Sequence, residues 1–111
     1  MAKKQHRIIW TINALDQLER IKQFIARDSP MNALNFVRRL YRHARRLKTL
    51  PYSGAPVPEF GDPETREIIY RNYRIIYEVV LSTVRVLAVH HGAKLLGRQH
   101  LAKSRRTDAD E

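Results

Sequence analysis

Hydrophobic and polar residues alternate in the C-terminal half of the chain with the period of β-strands. Three segments there are rich in β-branched and aromatic residues: Arg66–Tyr70, Tyr73–Val80 and Val84–Val89. The connections between them, Arg71-Asn72 and Leu81–Thr83, are short enough for hairpin turns. The pattern therefore predicts three successive antiparallel strands.

The N-terminal half begins with a strand and continues with a helical period. The segment Arg7–Thr11 reads RIIWT, which is typical of a strand. Asn13 is the predicted N-cap of the following helix, with Asp16 three residues later. Apolar residues then recur at the spacing of one helix face: Leu15, Leu18, Ile21 and Ile25. The proline of the sequence RDSP ends this helix.

A second helix follows immediately. Ser29 is its predicted cap and Pro30 its first residue. The apolar stripe of this helix consists of Ala33, Val37, Leu40, Ala44 and Leu47. Leu50-Pro51 stops it. The two helices are therefore predicted to form a hairpin.

The segment Pro51–Glu64 is predicted to be an ordered loop. It holds four of the five prolines and two of the four glycines, and proline lowers the entropy lost on fixing a loop. The element order is then β-α-α-β-β-β, an α+β fold with a small, twisted antiparallel sheet and the helical hairpin on one face. Residues 1–102 form one domain, and the polar segment 103–111 is expected to be disordered.

The strand Tyr73–Val80 is predicted to be central in the sheet. Its alternation places Tyr73, Ile75, Tyr77 and Val79 on one face and Arg74, Ile76, Glu78 and Val80 on the other. Tyr77 and Val79 are expected in the core, packed by Leu18, Ile25, Val37 and Leu40 from the helices. Arg74 thus shares its face with aliphatic residues, and a permanent cation in that position needs a chemical explanation.

The chain has a large excess of basic residues. Lys and Arg number 21 against 11 Asp and Glu, a formal charge of +10, and such a field attracts polyanions. The chain has no cysteine, and no apolar run approaches the length of a membrane span. We expect a cytoplasmic protein that does not bind membranes.

The second helix carries a run of basic residues without an intervening acid: Arg38, Arg39, Arg42, Arg45, Arg46 and Lys48. A solvated outer face and a binding surface for a polyanion both account for such a run. Because no acid at i,i+4 offsets the repulsion, the run is compatible with an external anionic partner.

Candidate chemistry is restricted to a small polar set. The histidines show no ligand spacing and nucleotide-binding glycine motifs are absent, so we expect no metal or other cofactor. Glu59, Arg66, Arg74, Lys94 and a histidine could be gathered by the sheet, where a base and several cations could cleave RNA through the ribose 2′-hydroxyl. Alternatively, these groups are ion pairs that order the loop, with Arg74 bonded to Glu59 or Glu78.

Three segments in succession, LKTLPYSGAPVPE, REIIYRNYRIIYEV and VRVLAVHHGAKLL, resemble the RelE/ParE superfamily of toxins from type II toxin–antitoxin modules. The resemblance extends from about Arg7 to about Leu101. It implies the fold predicted above and a growth inhibitor neutralised by an acidic antitoxin. One branch of the superfamily cleaves messenger RNA on the ribosome, and another poisons DNA gyrase without being a nuclease, so the fold leaves both targets open.

The resemblance also implies roles for individual residues. Arg74 lies where the nucleases carry a phosphate-binding arginine, and Glu59 matches a loop glutamate that serves as general base. The candidate catalytic residues are therefore Glu59, Arg74, Lys94 and His91. The candidate RNA- or phosphate-binding residues are Arg66, Arg71, His90 and His100.

The nuclease pattern is incomplete. REIIY lacks the paired lysines of the most active nucleases, and the hairpin sequence RDSPMNALNFVRRL looks more like the gyrase-poisoning branch. The sequence favours a ribosome-dependent mRNA endonuclease, with ribosome and mRNA as partners. A gyrase poison is the first alternative, and a basic nucleic-acid-binding accessory protein is the second.

Overall fold

The fold is a single sheet with a helical hairpin packed on one face. The computed structural model describes residues 4–92 and 108–110. The two α-helices are α1, Ile12–Ala26, and α2, Pro30–Ala44, and α2 continues into a 3₁₀ turn, Arg45–Lys48. The strands are β1, Arg7–Thr11; β2, Ala55–Pro56; β3, Thr65–Tyr70; β4, Tyr73–Val80; β5, Thr83–His91; and β6, Asp108–Asp110.

The strands are arranged in the order β2-β3-β4-β5-β1-β6. The predicted α+β fold and the order of the main elements are confirmed. The sheet is mixed, because β1 pairs with β5 in parallel, with Arg7 opposite Thr83. Alternation along a strand carries no information about the direction of a neighbour that is reached through helices. Strand β6 runs antiparallel to β1 and lies within the segment 103–111, which was expected to be disordered.

The helix caps show where local sequence rules apply. Ser29 caps α2 as predicted, since its hydroxyl accepts a hydrogen bond from the Asn32 backbone N–H at 3.1 Å. The cap of α1 is Thr11 rather than Asn13, because β1 passes directly into the helix. The Thr11 hydroxyl accepts from the Ala14 N–H and donates to the Val86 carbonyl oxygen at 2.8 Å. This hydroxyl joins the start of α1 to the neighbouring strand.

The main core lies between the helices and the sheet. Tyr77 and Val79 of β4 are buried there, as predicted, together with Leu18 of α1 and Leu40 of α2. Ile25 and Val37 are partly buried against the same cluster. No helix within residues 4–92 is both long and apolar enough to cross a bilayer.

A smaller core lies on the other face of the sheet, under the loop that precedes β3. The pairing of β4 with β5 shifts by one residue between Ile76 and Tyr77, so that Leu87 is inserted between Val86 and Ala88, the partners of those two residues. Leu87 and Ala88 consequently contribute to the same small cluster as Ile76 and Val57, with Phe60 packed against it. The predicted order of the loop Pro51–Glu64 therefore has a physical basis, because the loop buries apolar side chains.

His43 lies on α2 against β3 and is expected to make the stability of the fold depend on pH. Its ring centroid lies 5.5 Å from that of Tyr70, and its buried Nε2 has no hydrogen-bond partner among the described residues. Burial lowers the pKa of His43 and the positive charge of Arg46 lowers it further, while a hydrogen bond with the Ile69 backbone opposes the change.

Because the folded-state pKa of His43 is below its ordinary value, the unfolded chain takes up this proton at higher pH. The free energy of unfolding should therefore rise as pH increases across the range below the ordinary imidazole pKa of about 6.5, and level off above it. Urea unfolding of the wild type and of His43→Gln below and above this pKa measures the effect. A pH dependence that is equal in both proteins would show that His43 is not its source.

Candidate functional site

The candidate site is centred on Arg74, on the face of the sheet that is turned away from the helices. Arg74 is only 8% exposed although it carries a permanent charge. Its cross-strand neighbours are Ile69 in β3 and His90 in β5. Glu59 reaches it from the loop and Glu67 from β3. Two of the predicted catalytic residues, Glu59 and Arg74, are thus in direct contact.

All three nitrogen atoms of the Arg74 guanidinium donate to carboxylates. Nη1 and Nη2 form a two-point contact with Glu59, at 2.8 and 2.9 Å, and Nε donates to Oε1 of Glu67. The hydrogen bonds with Glu59 raise the pKa of Arg74, and those with Glu67 act in the same direction although burial opposes them. Arg74 is therefore a cation at any physiological pH, and two carboxylates offset its charge.

The same face of the sheet holds a second buried ion pair. Glu78 of β4 and Arg85 of β5 are opposite each other, and Nη1 of Arg85 donates to Oε2 of Glu78. The sequence allowed either Glu59 or Glu78 as the partner of Arg74, and Glu59 is confirmed. Glu78 is instead engaged by Arg85, and Glu67 takes the second position on Arg74.

The two adjacent histidines both line a groove beside α1, but they lie opposite different residues of β4. His90 is half-buried directly opposite Arg74. His91 is opposite Tyr73, its ring is edge-on to the tyrosine ring at 5.6 Å, and it lines a groove with Gln17 and Ile21 of α1. His91, predicted as catalytic, thus lies on the helix side of the sheet, and His90 is the histidine beside Arg74.

Arg66 is used to fix the loop. Its Nη1 donates to the Gly54 carbonyl oxygen at 2.8 Å and its Nε to the Pro63 carbonyl oxygen at 3.0 Å, while its guanidinium lies over the Tyr52 ring. Gly54 in turn donates its N–H to the Tyr77 hydroxyl at 3.0 Å. Only glycine fits there, because a Cβ would be 2.4 Å from the Glu67 carbonyl oxygen.

The remaining predicted residues are away from Arg74 or outside the described residues. Arg71 is exposed in the β3–β4 turn, where its Nε donates to the Tyr70 hydroxyl at 3.3 Å. Lys94 and His100 lie outside the described residues. Within the described part of the chain, no cluster of three or more acidic or histidine side chains could hold a metal ion.

Glu67 is the site residue that was missed from the sequence. The two-residue turn at Arg71-Asn72 sets the register of the hairpin, which places Ile69 opposite Arg74. Glu67, two residues before Ile69, then lies on the same face and diagonal to Arg74, within reach of a long side chain. Counting the register from the turn would have found it.

The geometry limits the chemistry of this cluster. For Arg74 to hold a phosphate, it must first release a carboxylate that it binds through paired hydrogen bonds. For Glu59 to accept a proton from a ribose hydroxyl, it must leave the same guanidinium. Among the described residues, the arrangement is that of a closed ion-pair cluster which ties the loop to β3 and β4.

Each comparison with known proteins leads to a toxin or a toxin–antitoxin system. The family model described as the ParE toxin of a type II toxin–antitoxin system, parDE, matches residues 8–96. Toxin RelE2 of Caulobacter vibrioides is 35% identical over 92 residues, covering 79% of this chain and 97% of the relative. A solved structure titled "Chromosomal ParDE TA system from P. aeruginosa" has a TM-score of 0.67 at 20% identity, covering 80% of this chain and 98% of the other, and so shares the fold.

Proposed function

Since the chain belongs to the ParE toxin family and is the toxin of a type II toxin–antitoxin system, we propose that it arrests growth by binding DNA gyrase rather than by cleaving RNA. Membership of this family implies that the protein has an antitoxin partner. We further propose that this antitoxin is acidic, because the toxin carries a formal charge of +10.

The main support for the proposal is that Arg74 is already bonded to two carboxylates. The residue at the position of the nucleases' phosphate-binding arginine has each guanidinium nitrogen bonded to Glu59 or Glu67 and is almost fully buried. A nuclease needs this cation to be open to the scissile phosphate and its base to be free to take a proton. The cluster offers neither, and a toxin that acts by binding needs neither.

Two features of the sequence give further support. REIIY supplies one arginine, Arg66, where the active nucleases carry paired lysines, and that arginine is bonded to the carbonyl oxygens of the loop. The helical hairpin, which resembles the gyrase-poisoning branch, presents an exposed basic surface.

A second candidate function, ribosome-dependent mRNA cleavage, is favoured by one observation. His90 is opposite Arg74 and next to the cluster that contains Glu59, so an imidazole, a carboxylate and a guanidinium occur together on one face. On the ribosome, this candidate requires that a phosphate of the message displaces Glu59 from Arg74.

The two candidates predict opposite results with the purified protein. Under our proposal, the wild type inhibits supercoiling of relaxed plasmid by gyrase and traps double-strand breaks, and messenger RNA stays intact in a ribosome-containing translation extract. Glu59→Gln keeps a side chain of the same shape and should leave the inhibition of gyrase within about twofold of the wild type.

Cleaved messenger beside active gyrase would overturn the proposal. The second candidate also predicts that Glu59→Gln abolishes cleavage, because a neutral amide cannot act as the general base. Thermal unfolding of both proteins under the assay conditions separates a lost activity from a lost fold.

A further inference from the structure

Two sets of arginines within the described residues differ in their pairing. Arg74 and Arg85 are mostly buried on the sheet and are bonded to glutamates. The exposed arginines of α2 and its 3₁₀ extension have no ion pair with any described residue: Arg38, Arg39, Arg42, Arg45 and Arg46. The thirty residues from Ser29 to Pro58 contain no acid.

The basic surface of α2 therefore carries repulsion that nothing in the described part of the chain offsets. Arginines placed three and four residues apart on one helix destabilise it slightly when no acid lies between them. Elsewhere in the same molecule, buried arginines each have a carboxylate partner. This contrast points to an external polyanion that completes the surface of α2.

A recess at the edge of this surface indicates which polyanion it accepts. It lies between α2 and the β3–β4 turn and has a volume of about 470 Å³. Arg39 from the helix and Arg71 from the turn line it, and Asn35 and Asn72 supply side-chain amides. The half-buried ring of Tyr73 also lines it, held edge-to-face at 5.4 Å by the ring of Phe36, which is itself buried in the core.

Each of these groups matches one part of a nucleotide. Guanidinium groups bind phosphate through paired hydrogen bonds. Asparagine amides donate to and accept from base edges, and aromatic rings provide stacking surfaces for unpaired bases. A run of acidic side chains would use the arginines alone, since a carboxylate has no flat ring to stack and no N–H to donate.

We propose that this recess binds one unpaired nucleotide of a single-stranded nucleic acid. Arg39 and Arg71 hold its phosphate, and the outer arginines Arg38 and Arg42 of α2 and Arg45 of its 3₁₀ extension contact the phosphates that follow. The inference concerns the helix side of the molecule, does not use Arg74, and goes beyond the proposed action on gyrase. It holds whether the toxin acts on gyrase or on the ribosome.

Fluorescence anisotropy with the purified full chain tests the proposal. The probes are a short fluorescein-labelled single strand and an abasic strand of the same length, and unlabelled poly-glutamate is the competitor. Replacing both arginines of the recess (R39A/R71A) should weaken binding of the single strand by about tenfold or more. The slope of log K against log salt should become shallower by about 0.7, since the two arginines hold one phosphate and each lost phosphate contact contributes about 0.7.

The matched control is R20A/R27A, which removes two exposed arginines of the α1 segment and leaves the recess intact. It should bind the single strand within about twofold of the wild type, since only the long-range field changes. All the replaced side chains are exposed, and equal thermal unfolding of the three proteins verifies that the fold is retained.

Three outcomes would overturn the inference. Equal losses of affinity in both double variants would mean that binding depends only on the net charge of the protein. Equal affinity for the abasic strand and the normal strand would mean that the recess does not bind a base. Poly-glutamate that displaces the strand at an equal concentration of charge would assign the surface to an acidic protein segment.

Discussion

Replacing Arg74 with alanine is expected to destabilise the fold by about 3–5 kcal/mol, because it leaves buried carboxylates without their cation. Glu59 and Glu67 are mostly buried, with side chains 19% and 15% exposed, and each is bonded to this guanidinium. In the variant, both would have to take up protons or move to water. Either response removes the contact of Glu59 with the sheet and loosens the part of the loop that carries Val57 and Phe60, which pack in one cluster with Ile76.

Urea unfolding of the wild type, Arg74→Ala and Arg71→Ala measures this effect. Arg71 is three residues away and exposed, so its replacement removes the same charge from the surface and should cost within about 0.5 kcal/mol. A further variant, R74M/E59Q/E67Q, removes all three charges together and should recover part of the loss, since no isolated carboxylate remains. An Arg74→Ala protein with the unfolding midpoint of the wild type would mean that the cluster is open in solution and that Arg74 is available to a ligand.

This prediction also separates two explanations of an inactive variant. In a nuclease, Arg74→Ala would be a folded protein that lacks a phosphate ligand. With the closed cluster of this structure, it would instead be a destabilised protein whose activity and antitoxin binding fall together with the folded fraction. Measuring stability and antitoxin binding together therefore assigns the role of Arg74.

The sequence predicted the features that depend on periodicity. The alternation in β4 placed Tyr77 and Val79 in the core, because side chains of a strand point to opposite faces with a period of two. The helical stripe likewise placed Leu18 and Leu40 correctly, and a proline preceded by serine marked the start of α2. The parallel pairing of β1 with β5 was not predictable from periodicity, because it depends on the path of the chain through the hairpin.

The candidate site was harder to predict, because one inserted residue reverses the alternation. Up to Val86, β5 alternates regularly, and a continued alternation would bring His91 onto the same face as Arg85. The inserted Leu87 shifts the alternation by one residue, so His90 faces Arg74 and His91 faces Tyr73 instead. No residue in this stretch is a glycine or proline that would have signalled the irregularity.

Replacing Leu40 with alanine is expected to cost about 2–5 kcal/mol, the range for a large side chain removed from a packed core. Leu40 is fully buried at the centre of the inner face of α2. It belongs to the cluster that joins α1, α2 and the helix-facing side of β4. The cavity that alanine leaves there is enclosed by the helices and the sheet, and close-packed surroundings relax only partly to fill it.

The same substitution at Leu34, one and a half turns earlier on α2, is the matched control. Leu34 is 39% exposed, so Leu34→Ala removes the same atoms from a partly solvated position without enclosing a cavity, and it should cost less than about 1 kcal/mol. Chemical denaturation of both variants and the wild type at one pH gives the comparison, with equal m-values required for a two-state reading. Equal losses at the two positions would mean that the hairpin is rotated about the axis of α2. The basic surface of α2 would then be partly covered by the sheet, so this measurement also tests the geometry on which the nucleotide recess depends.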